Sequence, residues 1–256
     1  MCLILFAFNS HPHYKLILAG NRDEFYARPT APAAFWDEEP HLLAGKDLLA
    51  GGTWFGITKS GRLAGISNYR DPESIKENSP SRGQLVSRFL LGSDSPRSHL
   101  DGVIKDADHY NGFNLIVGFK NELYWYSNMA KGMKRLSPGI YGISNHLLDT
   151  PWPKVAKGKA ALIRLISDKT ILETEEFFNI LGNRTIADDS DLPDTGVGLE
   201  RERMLSPIFI SSDDYGTRSS TLLLIDRTDF VTFMERTYNK DPTHSSTVTY
   251  NFQMEL

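Results

Sequence analysis

Apolar residues in the first part of the chain come in short runs separated by turn-forming residues. Cys2 to Phe8 and Lys15 to Ala19 flank Asn9-Ser10-His11-Pro12-His13, which predicts a hairpin. Trp54 to Thr58 and Leu63 to Ser67 flank Lys59-Ser60-Gly61-Arg62, a second hairpin with Gly61 in its turn. Between them, Arg28 to Pro40 is rich in Pro and Ala without a clear period and reads as an ordered loop. The period then changes. Ser81-Arg82-Gly83-Gln84 has the spacing of a capping box ahead of Leu85, Val86, Phe89 and Leu90, so a helix is expected there. Leu100 to His109 is a second, weaker helical stretch, and Phe113 to Phe119, Glu122 to Ser127 and Gly139 to Ser144 read as strands. Lys154 to Asp168 repeats apolar residues at helical spacing after Pro153, and Glu173 to Leu181 is the next helix. Ile186 to Val197 is a polar, acidic loop; strands at Thr221 to Asp226, Phe230 to Tyr238 and Ser246 to Glu255 close the chain. Hairpins at both ends with helices between them favour antiparallel sheets covered by helices, an α+β fold in a single domain over residues 1–256.

Composition narrows the classes. Of 256 residues, 40% are hydrophobic and 23% charged, the balance of a globular protein, and the formal charge of −4 gives no basic surface for nucleic acid. No apolar run has the length of a membrane span, and CLILFAF is brief and lacks a basic leader, so it reads as a buried strand. A single cysteine cannot form an internal disulfide, which fits the reducing cytoplasm. Without a second Cys or an H-x-x-x-H pair, no metal or other cofactor is expected.

That one cysteine is Cys2. Loss of Met1 would give it a free α-amine, which titrates near about 7.7–8.0 and can serve as the thiol's own base. The plainer reading is a small buried thiol in a strand. Asn21-Arg22-Asp23-Glu24 follows the second apolar run and reads either as a solvated turn or as an Arg and an Asp emerging beside Cys2. Gly51-Gly52-Thr53-Trp54 suggests close backbone packing, with Trp54 lining a pocket. Asn68 is a turn residue or a donor to an acyl-transfer oxyanion. Asn145, within Ser144-Asn145-His146, likewise sits just beyond a strand, and His146 is a structural hydrogen-bonder or a site residue. Gly216-Thr217-Arg218-Ser219-Ser220-Thr221 is the plain start of a strand or a clamp for an anionic group.

Taken together, Met-Cys at the start, Asn21-Arg22-Asp23-Glu24, Gly51-Gly52-Thr53-Trp54, Asn68-Tyr69-Arg70-Asp71, Gly112-Phe113-Asn114-Leu115, Ser144-Asn145-His146 through Pro151-Trp152-Pro153, and Gly216 to Thr221 resemble the NRDE, or Transport and Golgi organisation, protein family, collinearly from Met1 to about Asp226. The resemblance implies the N-terminal nucleophile hydrolase fold, a four-layer αββα sandwich with two antiparallel sheets between helical layers. It also implies a site: Cys2 as nucleophile, Arg22 and Asp23 beside it, Asn68 and Asn145 at the oxyanion, and Arg218 as a late active-site arginine. Arg22 and Asp23 are adjacent here, whereas the hydrolases space them apart.

The resulting expectation is a cysteine hydrolase or acyltransferase acting on a non-peptide amide or acyl bond, with Trp54, Tyr69 and His146 against a small acyl, amide or lipid-like ligand. The alternative is a non-catalytic carrier of lipid, acyl-CoA or haem, with His146 or Tyr215 as the haem ligand. A scaffold for other proteins is the third reading, and a homo-oligomer is compatible with all three.

Overall fold

The structure is a computed structural model that describes residues 3–119, 121–167, 172–240 and 245–255. Two compact units are present. One runs to Ala27 and takes in Ser137–Ser144 and Leu148–Phe252; the other holds Arg28–Leu136, Asn145–Leu147 and the chain end from Gln253.

The first unit is built on a six-stranded antiparallel sheet in the order β10-β1-β2-β11-β12-β13. Its strands are β1 (Leu3–Phe8), β2 (Tyr14–Phe25), β10 (Gly139–Ile143), β11 (Tyr215–Asp226), β12 (Phe230–Tyr238) and β13 (Ser245–Gln253). The hairpin at the start forms as expected, Leu3 opposite Asn21 and Phe8 opposite Leu16. Alternate residues of the central strands, Leu3, Leu5, Ala7, Ile17, Ala19, Leu222 and Leu224, share a core with α3 (Pro153–Ser167) and α4 (Thr174–Leu181). Those helices turn Val155, Leu162, Leu165, Phe177, Phe178 and Leu181 towards it. A further helix, α5 (Leu199–Leu205), follows Gly198, whose φ of +85° is a conformation that suits glycine. Only the two ends of that heptapeptide are aliphatic, so it carries little periodic signal.

The second unit has a seven-stranded sheet with β3 (Thr30–Trp36), β4 (Glu39–Asp47), β5 (Phe55–Thr58), β6 (Leu63–Asn68), β7 (Phe113–Phe119), β8 (Glu122–Ser127) and β9 (Lys134–Arg135) in sequence order. Helices α1 (Gly83–Leu91) and α2 (Pro96–Asp106) bury Leu85, Val86, Phe89, Leu90, Leu100 and Val103. Gly61 sits in the β5–β6 turn with a φ of +86°, as its position between the two runs predicts.

Three local expectations are corrected. Arg28 to Pro40 is not a loop: it forms β3 and the start of β4, where small alanines hide the alternation. Pro32 is tolerated because β3 lies at the sheet edge. The Ser81 capping box does not form. The residue before α1 is Arg82, no side chain caps the helix, and Ser81 instead offers its carbonyl to the Gln84 amide at 3.2 Å. Finally, Asn21 to Glu24 is no turn, since β2 continues through all four.

Gly52 shows why the Gly-Gly-Thr-Trp segment has its glycines. A Cβ there would stand 2.7 Å from the Gly83 carbonyl carbon and 2.9 Å from its oxygen, at the first turn of α1. Gly52→Ala is expected to lower stability by about 1–3 kcal/mol through overpacking. Urea denaturation of the variant, with a midpoint unchanged from the parent, would refute that backbone contact.

Candidate functional site

The Asn-Arg-Asp-Glu tetrapeptide lies inside β2, and each residue meets a different requirement. Asn21 is fully buried; its Nδ2 donates to the carbonyls of Leu181 at 2.9 Å and Ile208 at 2.8 Å, and its Oδ1 accepts from Ser220 Oγ at 2.6 Å. Leu181 is the last residue of α4, so this amide satisfies a carbonyl at the C-terminal end of that helix. Asp23, 4% exposed, accepts from Thr217 Oγ1 at 2.6 Å, and the same hydroxyl accepts from the Ile210 amide at 3.0 Å.

Arg22 is also 4% exposed, and alternation along β2 places it with Glu24 on the face opposite Asn21 and Asp23. A Glu24 carboxylate oxygen stands 3.8 Å from its Nη2. Ser219 is its register partner on β11, a buried hydroxyl with no hydrogen bond to another described residue. Two adjacent polar residues therefore serve two sides of one sheet.

A bulge in β11 lies opposite them. Thr217 pairs with Asp23 and Ser219 with Arg22, leaving Arg218 as the extra residue of β11. Arg218 Nη1 donates to the carbonyls of Phe25 at 2.9 Å and Tyr26 at 3.1 Å, with the guanidinium 6.0 Å from the Tyr26 ring. Those bonds tie the end of β2 to β11.

The asparagines collect in the other unit, where β6 ends. Asn68 is exposed, and its carbonyl accepts from Asn145 Nδ2 at 3.0 Å. Asn145 is buried, with Arg70 Nη2 on its Oδ1 at 3.4 Å and the Arg70 amide on its carbonyl at 2.7 Å. An oxygen facing a guanidinium and a nitrogen facing a carbonyl fix which way this amide points.

Beside it, the Tyr69 and His146 rings meet at 4.9 Å, and Asn114 Nδ2 donates to the His146 carbonyl at 2.9 Å. Asn114 uses both its polar atoms: Nδ2 also reaches Ser67 Oγ at 3.3 Å, and Oδ1 accepts from Trp125 Nε1 at 3.2 Å. Burial lowers the His146 pKa and raises that of Tyr69, to which nearby Asp71 adds. Trp54 is a buried residue just before β5, its ring occupying the space over Gly45.

The structure thus brings Arg22, Asp23 and Arg218 together in one unit and Asn68, Tyr69, Asn145 and His146 in the other. Cys2 lies outside the described residues. Sequence reasoning missed Ser219 as the partner of Arg22 and Arg70 as the residue orienting Asn145. Reading Asn21 to Glu24 as strand would have marked these residues as needing cross-strand partners, without naming which.

These sheets and helices define an α+β protein with the fold of the N-terminal nucleophile hydrolases. The crystal structure of a variant of conjugated bile acid hydrolase from Clostridium perfringens matches it at a TM-score of 0.51 and 10% identity, over 100% of this chain and 99% of that one. The chain belongs to the family described as Transport and Golgi organisation 2, whose model matches residues 1–240. The Transport and Golgi organization protein 2 homologs of Bos taurus and Homo sapiens are 36% and 34% identical to it, each over 100% of both chains. No helix among the described residues is long and apolar enough to cross a membrane.

Two measurements test this geometry. Asn21→Ala strands two buried carbonyls and the Ser220 hydroxyl, and a loss of about 2–4 kcal/mol in chemical denaturation is expected. His146 should titrate below its ordinary value of 6.5 when followed by proton NMR. Because its folded pKa is depressed, its contribution to stability is complete above the unfolded value and is lost as pH falls through the folded one. His146→Gln should therefore flatten the acid side of the stability curve. An NMR midpoint at or above 6.5 would contradict the burial assigned to the ring.

Proposed function

We propose that this chain is an N-terminal cysteine hydrolase or acyltransferase acting on a non-peptide amide or acyl bond of a small acyl or lipid-like molecule. The observation that carries this reading is Arg22, a guanidinium held 4% exposed inside a sheet. It follows Asn21, the register partner of Leu3, which is the residue after Cys2 in the sequence. A buried guanidinium beside a thiol favours the thiolate. The hydrolase fold of the chain supports the same reading.

In the proposed reaction, removal of Met1 leaves Cys2 with a free α-amine. The thiol proton passes to that amine, Sγ bonds to the substrate carbonyl carbon, and the carbonyl π pair moves onto oxygen. Asn68 and Asn145 are the proposed donors to that oxyanion, a contribution of about 3–4 kcal/mol for one preorganised donor. Collapse re-forms the carbonyl and breaks the bond to the leaving group, which takes the proton from the α-ammonium.

Water, deprotonated by the same amine, then cleaves the thioester to release the acid and restore the thiol. An acceptor alcohol or amine in place of water makes the cycle an acyl transfer. Arg22 favours the thiolate, Asp23 the protonated amine, and Arg218 an anionic group of the substrate. Trp54, Tyr69 and His146 are the proposed contacts for its apolar part.

The test is acylation by an activated ester, with the protein's mass measured before and after. Protein lacking Met1 should give a stoichiometric burst and gain one acyl group at Cys2. Cys2→Ala and protein that retains Met1 should give none. The burst rate should rise with pH through about 7.7–8.0, the range of an α-amine. A burst that survives in Cys2→Ala overturns the proposal.

A further inference from the structure

The stretch of β11 that pairs with the Asn-Arg-Asp-Glu segment carries the hydroxyls of Thr217, Ser219, Ser220 and Thr221, each no more than 2% exposed. All but one of them are engaged. Thr217 donates to Asp23 at 2.6 Å, Ser220 to Asn21 at 2.6 Å and Thr221 to Glu235 at 3.4 Å. Ser219 is the exception: its Oγ is buried and has no hydrogen-bond partner among the described residues.

Packing gives no reason for a hydroxyl there. Alanine fills nearly the same volume without taking an O–H out of water, so a buried serine is a net cost unless something else accepts its bond. The register shows which side chain shares its surroundings. Ser219 stands directly opposite Arg22, so the two rise from one face of the sheet with Cβ atoms about 4.5–5.5 Å apart. Its partner on the other side, Thr237, has its hydroxyl 2.7 Å from that of Ser246, away from Arg22. A hydroxyl beside a guanidinium offers two kinds of donor to one anion. Leu3, opposite Asn21, follows Cys2 in the sequence, and the Arg22 and Ser219 pair lies one register step beyond Leu3 and Asn21, in the direction of the chain start.

We propose that Ser219 is a further catalytic residue, its hydroxyl donating to the Cys2 thiolate alongside Arg22. The inference rests on the reading of Cys2 as nucleophile and Arg22 as its cation. The hydroxyl keeps its own proton throughout, and the α-amine remains the base. Once Sγ is acylated its charge is gone, so the bond serves the thiolate and releases the thioester.

The chain has one cysteine, so labelling by iodoacetamide, followed by mass, reports on Cys2 alone and requires no turnover. Protein lacking Met1 is used at neutral pH. Without the hydroxyl the thiolate fraction should fall about tenfold while each remaining thiolate attacks about threefold faster, so Ser219→Ala should label about threefold more slowly. Ser219→Thr keeps the hydroxyl and should label at nearly the parent rate.

A second measurement separates this role from a structural one. In a Cys2→Ala background no thiolate accepts the bond, and adding Ser219→Ala should raise the thermal midpoint by removing a buried hydroxyl without a partner. A midpoint that falls there, or Ser219→Ala labelling at the rate of a fast parent, would overturn this inference and leave the reading of Cys2 standing. A parent that labels no faster than the urea-unfolded chain would overturn both.

Discussion

The constraint on which the first unit depends is the burial of a polar tetrapeptide in the middle of a sheet. Asn21 cannot enter that environment unless every polar atom of its amide is used, and the structure uses them on Leu181, Ile208 and Ser220. One side chain thereby joins the end of α4, the segment before β11, and β11 itself. The partners lie more than 150 residues away in sequence, as the separations of 160 and 187 to Leu181 and Ile208 show. Removing the amide would leave three groups unsatisfied where no water reaches, a larger loss than one hydrogen bond.

The second unit solves a related problem with less burial. Asn145 and His146 follow a strand of the first unit, yet their backbone is held by Arg70 and Asn114. Asn114 has both polar atoms engaged, by Ser67, Trp125 and the His146 carbonyl. A side chain bonded in that way positions its neighbours. Arg70 differs, since it polarises the oxygen of an amide whose nitrogen faces the other way. The orientation of the Asn145 amide thus follows from its bonds to Arg70 and to the Asn68 carbonyl.

Much of the fold is legible in the sequence because long apolar runs and their period carry it. The strand from Phe113 to Phe119 and the helix after Pro153 are found where the pattern places them. Legibility fails where side chains are too small or too polar to show a period: alanine-rich β3, and β2 and β11 beyond their aliphatic segments. There, polar residues look like turns until their cross-strand partners are known, and those partners are distant. Arg22, Asp23, Asn68 and Asn145 could be singled out only as members of a collinear set of motifs. What each one touches could not be read from the sequence, since the chain alone does not reveal a strand's register.

The bulge at Arg218 has a consequence of its own. In an unbroken ladder, continuing from Ser219 opposite Arg22, Arg218 would stand across from Asp23, and a guanidinium and a carboxylate would neutralise each other inside the sheet. The extra residue shifts β11 by one position, so that Asp23 meets the Thr217 hydroxyl and Arg218 binds the carbonyls of Phe25 and Tyr26 instead. Loss of a single residue there would exchange the chemistry of two faces with no change to any side chain of β2. Deleting Arg218 is therefore a larger perturbation than replacing its side chain, because it changes which residue stands across from Asp23.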